Sequence, residues 1–268
     1  MNIDEKKMGL VKHLTELRNR IIWILAIFVI VFIASFMVTG DVVKYFEAQA
    51  GDITFNVFAP ADALKLYMQF AFVIALVVTF PFILYHIWKF VSPGLREKER
   101  KSTGVFIIPA TLLFMAGLAF GYYVLFPMLL SFMVKFAVDL GTQQTFGLSQ
   151  YFSTMFNLVI PFALLCELPV VVMFLTRLRI LNPMRMAKIR GYAYIVLVII
   201  GTAISPPDFI SDFLVIVPLV ILYEVSIFIS RVIYRKQLLA DEEWENEFYS
   251  DEENSPVLNL NDDEDENK

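Results

Sequence analysis

The chain has few of the residues on which disulfides, metal sites and nucleophilic active sites depend. It has one cysteine, Cys166, and two histidines, His13 and His86, in 268 residues. A single cysteine excludes an internal disulfide, and two isolated histidines do not predict a metal site. The sequence also lacks a phosphate-binding glycine loop, a serine nucleophile elbow and an HExxH helix. We therefore expect no catalytic residues, no bound metal and no cofactor.

Long apolar runs are what the chain has in excess. Hydrophobic residues make up 58% of it, including 26 phenylalanines, and its mean hydropathy is +0.65. Runs of this length and composition are typical of helices that cross a bilayer. We predict an all-α integral membrane protein with six transmembrane helices. The predicted spans are residues 21–38, 66–90, 104–126, 151–176, 192–204 and 209–233.

The basic residues lie mostly at one set of span ends. Eighteen lysines and arginines precede span 1, separate spans 2 and 3, separate spans 4 and 5, or follow span 6, against three on the opposite side. The positive-inside rule then places both termini in the cytoplasm. The first apolar run is too long for the core of a cleaved signal peptide, so we expect it to remain as a span.

Acidic residues concentrate at the C-terminus. Thirteen of the 27 aspartates and glutamates lie in the last 28 residues, so the net charge of −5 hides a basic remainder. A segment with this much like charge and few apolar residues predicts disorder. The predicted organisation is a cytoplasmic amphipathic segment (1–20), a six-helix membrane domain (21–237) and a disordered acidic tail (238–268). Docking through Trp244, Phe248 or Tyr249 is the alternative for the tail.

The last two spans are predicted to be short. Span 5 has about 13 apolar residues, which rise about 20 Å as a helix against a hydrocarbon core of about 30 Å. Span 6 follows at once through the sequence SPPD. Such a hairpin requires a thinned bilayer or ends below the outer surface. Elsewhere GLAFG in span 3 has the spacing of a close-packing helix face. Kinks are predicted at Pro81, Pro109, Pro161, Pro169 and Pro218.

One carboxylate, Glu167, interrupts the apolar run of span 4, with Pro161 and Pro169 on either side. A charge near the middle of a span costs about 2.5 to 3.5 kcal/mol on insertion scales, so Glu167 is expected to face protein or water and to have a partner. Glu224 in span 6 is a second, shallower case, within reach of a cytoplasmic partner.

Two further acidic positions lie among basic residues at the cytoplasmic side. In the N-terminal segment, Glu16 is four residues before Arg20 on the polar face of an amphipathic helix, which predicts an intrahelical ion pair. Glu99 lies in the loop 90–101, where the residues by themselves predict an ordinary solvated, positive-inside loop.

Several stretches together resemble the TatC family, the polytopic subunit of the twin-arginine protein translocase. The resemblance covers about residues 8 to 235, in matching order and topology, and the acidic tail lies outside it. His86 departs from the glutamine that the family often has, so a helix-packing role is the safer interpretation of it. The stretches are HLTELRNRII, FPFILYHIWKFVSPGLREKERK, FGYYVLFP, FALLCELPVVVMFLTRLRILNP and ISPPDFISDFLVIVPLVILYEVSIFISR.

The resemblance implies a binding site for signal peptides that carry two adjacent arginines. Its carboxylates match Glu16 and Glu99, and planar guanidinium groups suit carboxylates in a way that lysine does not. It also implies that Glu167 meets a polar residue of a single-span TatA or TatB partner. Other residues implied at the signal-peptide site are Arg18, Phe90, Leu95, Lys98 and Arg100, and residues of possible structural or functional importance are Pro81, Asp208 and Glu224.

The implied function is therefore the core subunit of a translocase that exports folded proteins. It would bind the signal peptide, recruit TatA- or TatB-type subunits for transport driven by the proton-motive force, and form homo-oligomers in the assembled complex, with no nucleic-acid partner. Two alternatives stay open. A proton- or cation-coupled secondary transporter would use Glu167 as the carrier, but no internal repeat pairs half-bundles around it. An intramembrane hydrolase would need a nucleophile and a base, and no convincing set is present.

Overall fold

The computed structural model describes residues 3–51, 53–91, 106–141, 145–205 and 209–253 of the chain. Helices account for almost all of them, as the apolar runs predict. In chain order the elements are α1 (Ile3–Gln49), β1 (Phe55–Asn56), α2 (Pro60–Val91), α3 (Ile107–Phe120), a π-helical turn (Gly121–Leu125), α4 (Phe126–Asp139), β2 (Phe146–Gly147), α5 (Leu148–Leu165), α6 (Leu168–Arg177), α7 (Pro183–Lys188), α8 (Arg190–Ile204) and α9 (Phe209–Glu253).

Five segments of the described chain are long and apolar enough to cross a bilayer. A sixth apolar helix, α8, has only 15 residues, which confirms the prediction of a short fifth span. The third segment extends 13 residues past its predicted end at Phe126, because α3, the π-helical turn and α4 form one continuous rod. The five segments are Leu14–Gln49, Pro60–Val91, Ile107–Asp139, Leu148–Arg177 and Ile210–Leu239.

The last helix corrects two predictions. The sixth span is not short, since α9 has 45 residues and its part long enough to cross a bilayer has 30. Helix also continues to Glu253, through residues 238–253 that composition predicted to be disordered. This stretch has leucine, alanine and glutamate, which favour helix, and no proline before Pro256. It also extends a helix already formed, so no new nucleation is required. Residues 254–268 lie outside the described residues.

A few pairs of helices make most of the packing contacts. α1 lies along α2, α3 packs against α5, and α9 packs against both α6 and α8. The side chains buried between them are mostly aromatic or branched, and Phe70, Phe114, Phe152 and Phe162 are among the largest that are fully buried. Most large apolar side chains of α1 remain exposed on its outer side. That exposure is expected of a helix whose outer face contacts lipid, because lipid chains are as apolar as leucine.

Basic residues gather at one end of the bundle, called the basic end below. Lys89 ends α2, Arg177 ends α6 and Arg190 begins α8. At this end the guanidinium of Arg177 lies 4.9 Å from the ring centroid of Phe106, which precedes α3. Gln237 Nε2 of α9 donates to the Arg177 carbonyl at 3.0 Å. These contacts connect the start of α3, the end of α6 and the last part of α9.

At the opposite end, two connecting segments pair as short parallel strands. Phe55 of β1 is in register with Phe146 of β2. The Phe55 ring lies 5.1 Å from the ring of Tyr151 and 6.0 Å from that of Phe152, both in the first turns of α5. Edge-to-face ring contacts of this kind add about 0.5 to 1.5 kcal/mol beyond area burial. The aromatic cluster therefore fixes the two connections to each other and to α5.

Span 3 and span 4 approach each other at two glycines, as the GLAFG spacing predicts. A Cβ on Gly117 would lie 2.9 Å from both the Ala163 Cα and the Cys166 Sγ, closer than real Cβ atoms come. A Cβ on Gly121 would lie 3.1 Å from Val159. The absence of side chains at these glycines lets the two backbones touch, which confirms the close-packing face.

Candidate functional site

The N-terminal helix is attached to α2 through Arg20. Arg20 forms the predicted ion pair with Glu16, one helical turn earlier, and its Nη1 donates to the His86 carbonyl at 3.4 Å. The Arg20 side chain is 12% exposed, whereas that of Glu16 is 39% exposed. Arg20 therefore lies between the two helices, and Glu16 remains accessible at the basic end.

Two other residues of the predicted signal-peptide site, Phe90 and Arg18, lie in the described part of the chain. His86 and Phe90 are both in the final two turns of α2, and Phe90 is half-buried. Arg18 is exposed on α1. Glu99 is eight residues past Val91, where α2 ends. The predicted site residues Leu95, Lys98, Glu99 and Arg100 lie outside the described residues.

Glu167 lies at the point where span 4 is interrupted. α5 ends at Leu165, α6 begins at Leu168, and Cys166 and Glu167 form a turn between them. Pro169 explains the interruption, because it has no N–H to donate to the Leu165 carbonyl four residues earlier. In the first turn of α6 the missing N–H costs little. The predicted kink at Pro169 is thus the start of a new helix, while Pro81, Pro161 and Pro218 lie inside helices.

The Glu167 side chain faces protein, as predicted, and is only 7% exposed. The main-chain amide of Phe114 in α3 is close enough to interact with its carboxyl, and Gly117 packs on the neighbouring Cys166. Its Oε1 is buried and has no hydrogen-bond partner among the described residues. The described part of the chain therefore leaves one oxygen of this carboxyl without the expected hydrogen-bond partner.

Glu224 has the partner that its position near the basic end predicts. It accepts from the Tyr194 hydroxyl at 2.5 Å, and its Oε2 lies 3.0 Å from Arg190 Nη2. All three side chains join α8 to α9. Sequence reasoning did not select Tyr194 or Arg190, although an arginine and a tyrosine in the first turns of a short span are an available signal for a polar contact.

A groove of about 530 Å³ opens between α2 and α5, towards the end opposite the basic end. Its walls are mainly apolar, but Lys65, Gln69 and Asn157 line it too. Gln69 accepts from the Ser153 hydroxyl at 3.0 Å. Sequence reasoning missed Gln69 and Asn157, and the signal for them was the presence of amides inside predicted spans.

Of the remaining predicted residues, Pro81 and His86 lie within α2, and Asp208 lies outside the described residues. Pro81 is half-buried inside α2, which stays continuous through it. His86 contributes its main-chain carbonyl to Arg20, and its imidazole Nδ1 is buried without a partner among the described residues. In the hairpin that contains Asp208, the Ser205 hydroxyl donates to Asp212 at 2.5 Å.

The bundle of long apolar helices is that of a multi-pass membrane protein. Residues 12–218 match the family model "Sec-independent protein translocase protein (TatC)". The chain therefore belongs to the TatC family, and it is a subunit of the Sec-independent translocase and not an enzyme. This assignment decides for the translocase subunit over the secondary transporter and the hydrolase.

Relatives and solved structures agree over most of the chain. TatCy of Bacillus subtilis is 48% identical over 232 residues, which are 86% of this chain and 91% of that protein. TatC of Escherichia coli is 28% identical and covers 85% of this chain and 90% of its own length. A crystal structure of the twin-arginine translocase receptor TatC in the detergent DDM matches with a TM-score of 0.74 and 27% identity, over 81% of this chain and 99% of its own.

Proposed function

We propose that this subunit receives twin-arginine signal peptides and reads the arginine pair with Glu16 and Glu99. The observation that carries the proposal is the contact of Arg20 with both Glu16 and the His86 carbonyl. This contact holds Glu16 beside the last turns of α2, and Glu99 follows α2 by eight residues. A stretch that short keeps the second carboxylate within reach of the first.

The chemistry of the two side chains suits this task. Each arginine of the peptide presents a planar fork of N–H donors, and a carboxylate accepts such a fork with two parallel hydrogen bonds. Lysine has the same charge but lacks the fork. Basic neighbours such as Arg18, Lys98 and Arg100 oppose basic peptides that do not match the two carboxylates, which adds specificity.

Glu167 is proposed as the contact for a partner helix of the TatA or TatB type. Its carboxyl is nearly buried, and one oxygen lacks a hydrogen-bond partner among the described residues. A polar group of this kind in lipid favours association with a helix that supplies the missing hydrogen bond. Recruitment of such subunits would couple this chain, itself assembled as a homo-oligomer, to the proton-motive force.

The proposed orientation has the basic end and both termini in the cytoplasm of a bacterial cell. It rests on the 18 basic residues at that side against three at the other. The domain boundaries follow from it: a surface helix up to residue 20, the membrane domain to residue 237 and an acidic cytoplasmic tail beyond. The tail extends away from the bilayer as the end of α9, because 45 helical residues are about 67 Å long and exceed the hydrocarbon core.

The test is binding of a synthetic twin-arginine signal peptide to the purified chain in nanodiscs. Glu16→Ala and Glu99→Ala should each weaken binding by about 1.5 to 3 kcal/mol, the range for a charged hydrogen bond. Glu47→Ala, which removes a carboxylate from the far end of α1, is the matched control and should bind as the wild type does. Wild-type affinity in the Glu16→Ala, Glu99→Ala double variant would show that the acidic pair is not the site.

A further inference from the structure

We propose that a cleft at the basic end binds the headgroup of an anionic phospholipid with a free hydroxyl, such as phosphatidylglycerol. The cleft, called the arginine cleft below, has a volume of about 270 Å³. One wall is the segment 179–185 between α6 and α7, with Arg179 and Arg185, and the other is the α9 stretch 234–238. Neither arginine belongs to the signal-peptide site.

The backbone at Arg179 is folded in a way that shapes this wall. Arg179 has φ of 60°, in the left-handed region that glycine usually occupies. The amides of Ile180 and Leu181 both donate to the Leu175 carbonyl, so the chain turns back on the end of α6. With the Arg179 amide donating to the Thr176 carbonyl, these bonds form a Schellman motif, the common helix end in which one residue is left-handed. The turn places Arg179 and Arg185 on the same small cleft.

The two walls supply the donors and the acceptor that such a headgroup needs. Arg185 offers a guanidinium fork for a phosphate, and Arg179 adds a second positive charge at the same cleft. Asn182 Oδ1 already accepts from the Met184 amide at 2.9 Å, so the part of its amide that remains is a donor. Gln237 Oε1 is buried and lacks a hydrogen-bond partner among the described residues. Because it is an acceptor, it suits a hydroxyl of the headgroup and not another phosphate oxygen.

The rim of the cleft favours a lipid over free phosphate. Ile180 and Leu238 line the cleft and are 67% and 46% exposed. Neighbouring Met184 is exposed as well. A bound phosphate ion would leave these apolar side chains exposed, whereas the acyl chains of a phospholipid would cover them. Basic pockets between membrane helices at this level are a recurring form of anionic-lipid site.

Ordinary positive-inside charge is the alternative explanation, and the chain offers a control for it. Arg231 and Arg235 are exposed on the same part of α9 but do not line the cleft. Removing them lowers the charge at the basic end by the same two units as removing Arg179 and Arg185. A general attraction of anionic lipid predicts equal losses for the two pairs, and a site predicts a loss for the cleft pair alone.

The experiment is native mass spectrometry of the full chain in detergent, titrated with phosphatidylglycerol or phosphatidylcholine. The wild type should bind phosphatidylglycerol at least about tenfold more tightly than phosphatidylcholine, and Arg179→Gln with Arg185→Gln should lose roughly 10- to 30-fold, given the contribution of each basic residue. Arg231→Gln with Arg235→Gln should stay within about threefold of the wild type. Gln237→Leu should reduce the preference for phosphatidylglycerol over phosphatidic acid, which lacks the hydroxyl.

Three results would overturn the proposal. The first is an equal loss in the two double variants, and the second is wild-type binding in the cleft variant. The third is protection of the folded chain by inorganic phosphate at the concentration where phosphatidylglycerol protects it, which indicates a free-phosphate site. If the glutamine pair does not fold, Arg179→Lys with Arg185→Lys is measured. It keeps the charge and loses the fork, so an affinity equal to the wild type would also count against the site.

Discussion

At the scale of single residues, the polar side chains inside the spans differ in whether their hydrogen bonds are complete. Glu224 is paired with Arg190 and Tyr194. The Thr176 and Ser230 hydroxyls are 2.7 Å apart in the buried contact between α6 and α9. Glu167 is a buried carboxylate, yet its Oε1 has no hydrogen-bond partner among the described residues. This difference is why we assign assembly to Glu167 and helix packing to the others.

The Glu167 assignment predicts different results for two substitutions. Glu167→Gln keeps hydrogen-bonding capacity and should retain much of the partner binding. Glu167→Leu should insert at least as well, since the burial cost is removed, but should hold the partner helix less tightly by about 0.6 to 2 kcal/mol. The measurement is co-purification of the single-span partner and the export rate at matched expression.

Thr154→Leu is the control for the Glu167 variants, because it removes from the same span a half-buried polar side chain whose hydroxyl donates to the Gln150 carbonyl of its own helix. It should leave both readouts unchanged. A proton carrier would give another order, in which glutamine is as inactive as leucine because neither titrates. Equal loss of export in both variants with intact partner binding would therefore favour a titrating role.

Gly117 gives a prediction about stability. Gly117→Ala places a Cβ 2.9 Å from the Ala163 Cα and the Cys166 Sγ, so spans 3 and 4 must separate. Overpacking of this kind costs about 1 to 3 kcal/mol. Gly191→Ala is the matched control, because nothing lies within 4 Å of its Cβ position. Thermal unfolding in detergent should show a lower midpoint for Gly117→Ala only, and equal midpoints would refute the close contact.

At the scale of elements, sequence reasoning was strongest where the apolar runs are long. It predicted the spans, the short α8, the interruption beside Glu167 and the glycine contact of span 3. It failed at the ends of two long helices. α4 continues to Asp139 through a stretch that is still mostly apolar, so composition alone did not mark its end. α9 continues to Glu253 through polar residues, because a nucleated helix extends through residues with good helix propensity. Hydropathy reports lipid contact, so it cannot mark the end of such helices.

The site was less accessible to sequence reasoning than the fold. Glu16 and Glu167 were selected as unusual carboxylates, but the role of Arg20 as a link to α2 depends on a contact between residues 66 positions apart. The same holds for the groove that Gln69 and Asn157 line. Helix packing decides which polar residues of different helices come into contact. The periodic pattern of a single sequence shows which face of a helix is apolar, but not which helix that face contacts.

The short helix α8 gives a prediction at this scale. Its 15 residues are about 22 Å long, less than the hydrocarbon core of about 30 Å. Insertion of four leucines would add about 6 Å, relieve the mismatch and change how the α8–α9 hairpin meets the bilayer. We expect export to fall while the protein remains in the membrane.

The control for the insertion keeps the length of α8. It replaces Ile195, Val196, Val198 and Ile199, all exposed, by leucine, and should export normally. Export rates and membrane fractions of both variants are compared in cells. Full export by the lengthened variant would mean that the shortness of α8 has no role in transport.

At the scale of the whole molecule, the two ends of the bundle are built for different purposes. The end opposite the basic end is closed by the pairing of β1 with β2 and by the ring cluster of Phe55, Tyr151 and Phe152. The basic end has Glu16 on α1 and the arginine cleft beside α9. Both binding sites that we propose are thus at the basic end, and the aromatic cluster joins the connecting segments to α5 at the other.

The central claim is that Glu16 and Glu99 each contact an arginine of the signal peptide, and a double-mutant cycle tests it most directly. Binding to the chain in nanodiscs is measured for peptides with either arginine changed to lysine, combined with Glu16→Ala or Glu99→Ala. Each carboxylate should couple to one arginine by about 1.5 to 3 kcal/mol, so that the second substitution of a matched pair costs little more than the first. Fully additive losses in all four combinations would contradict the account.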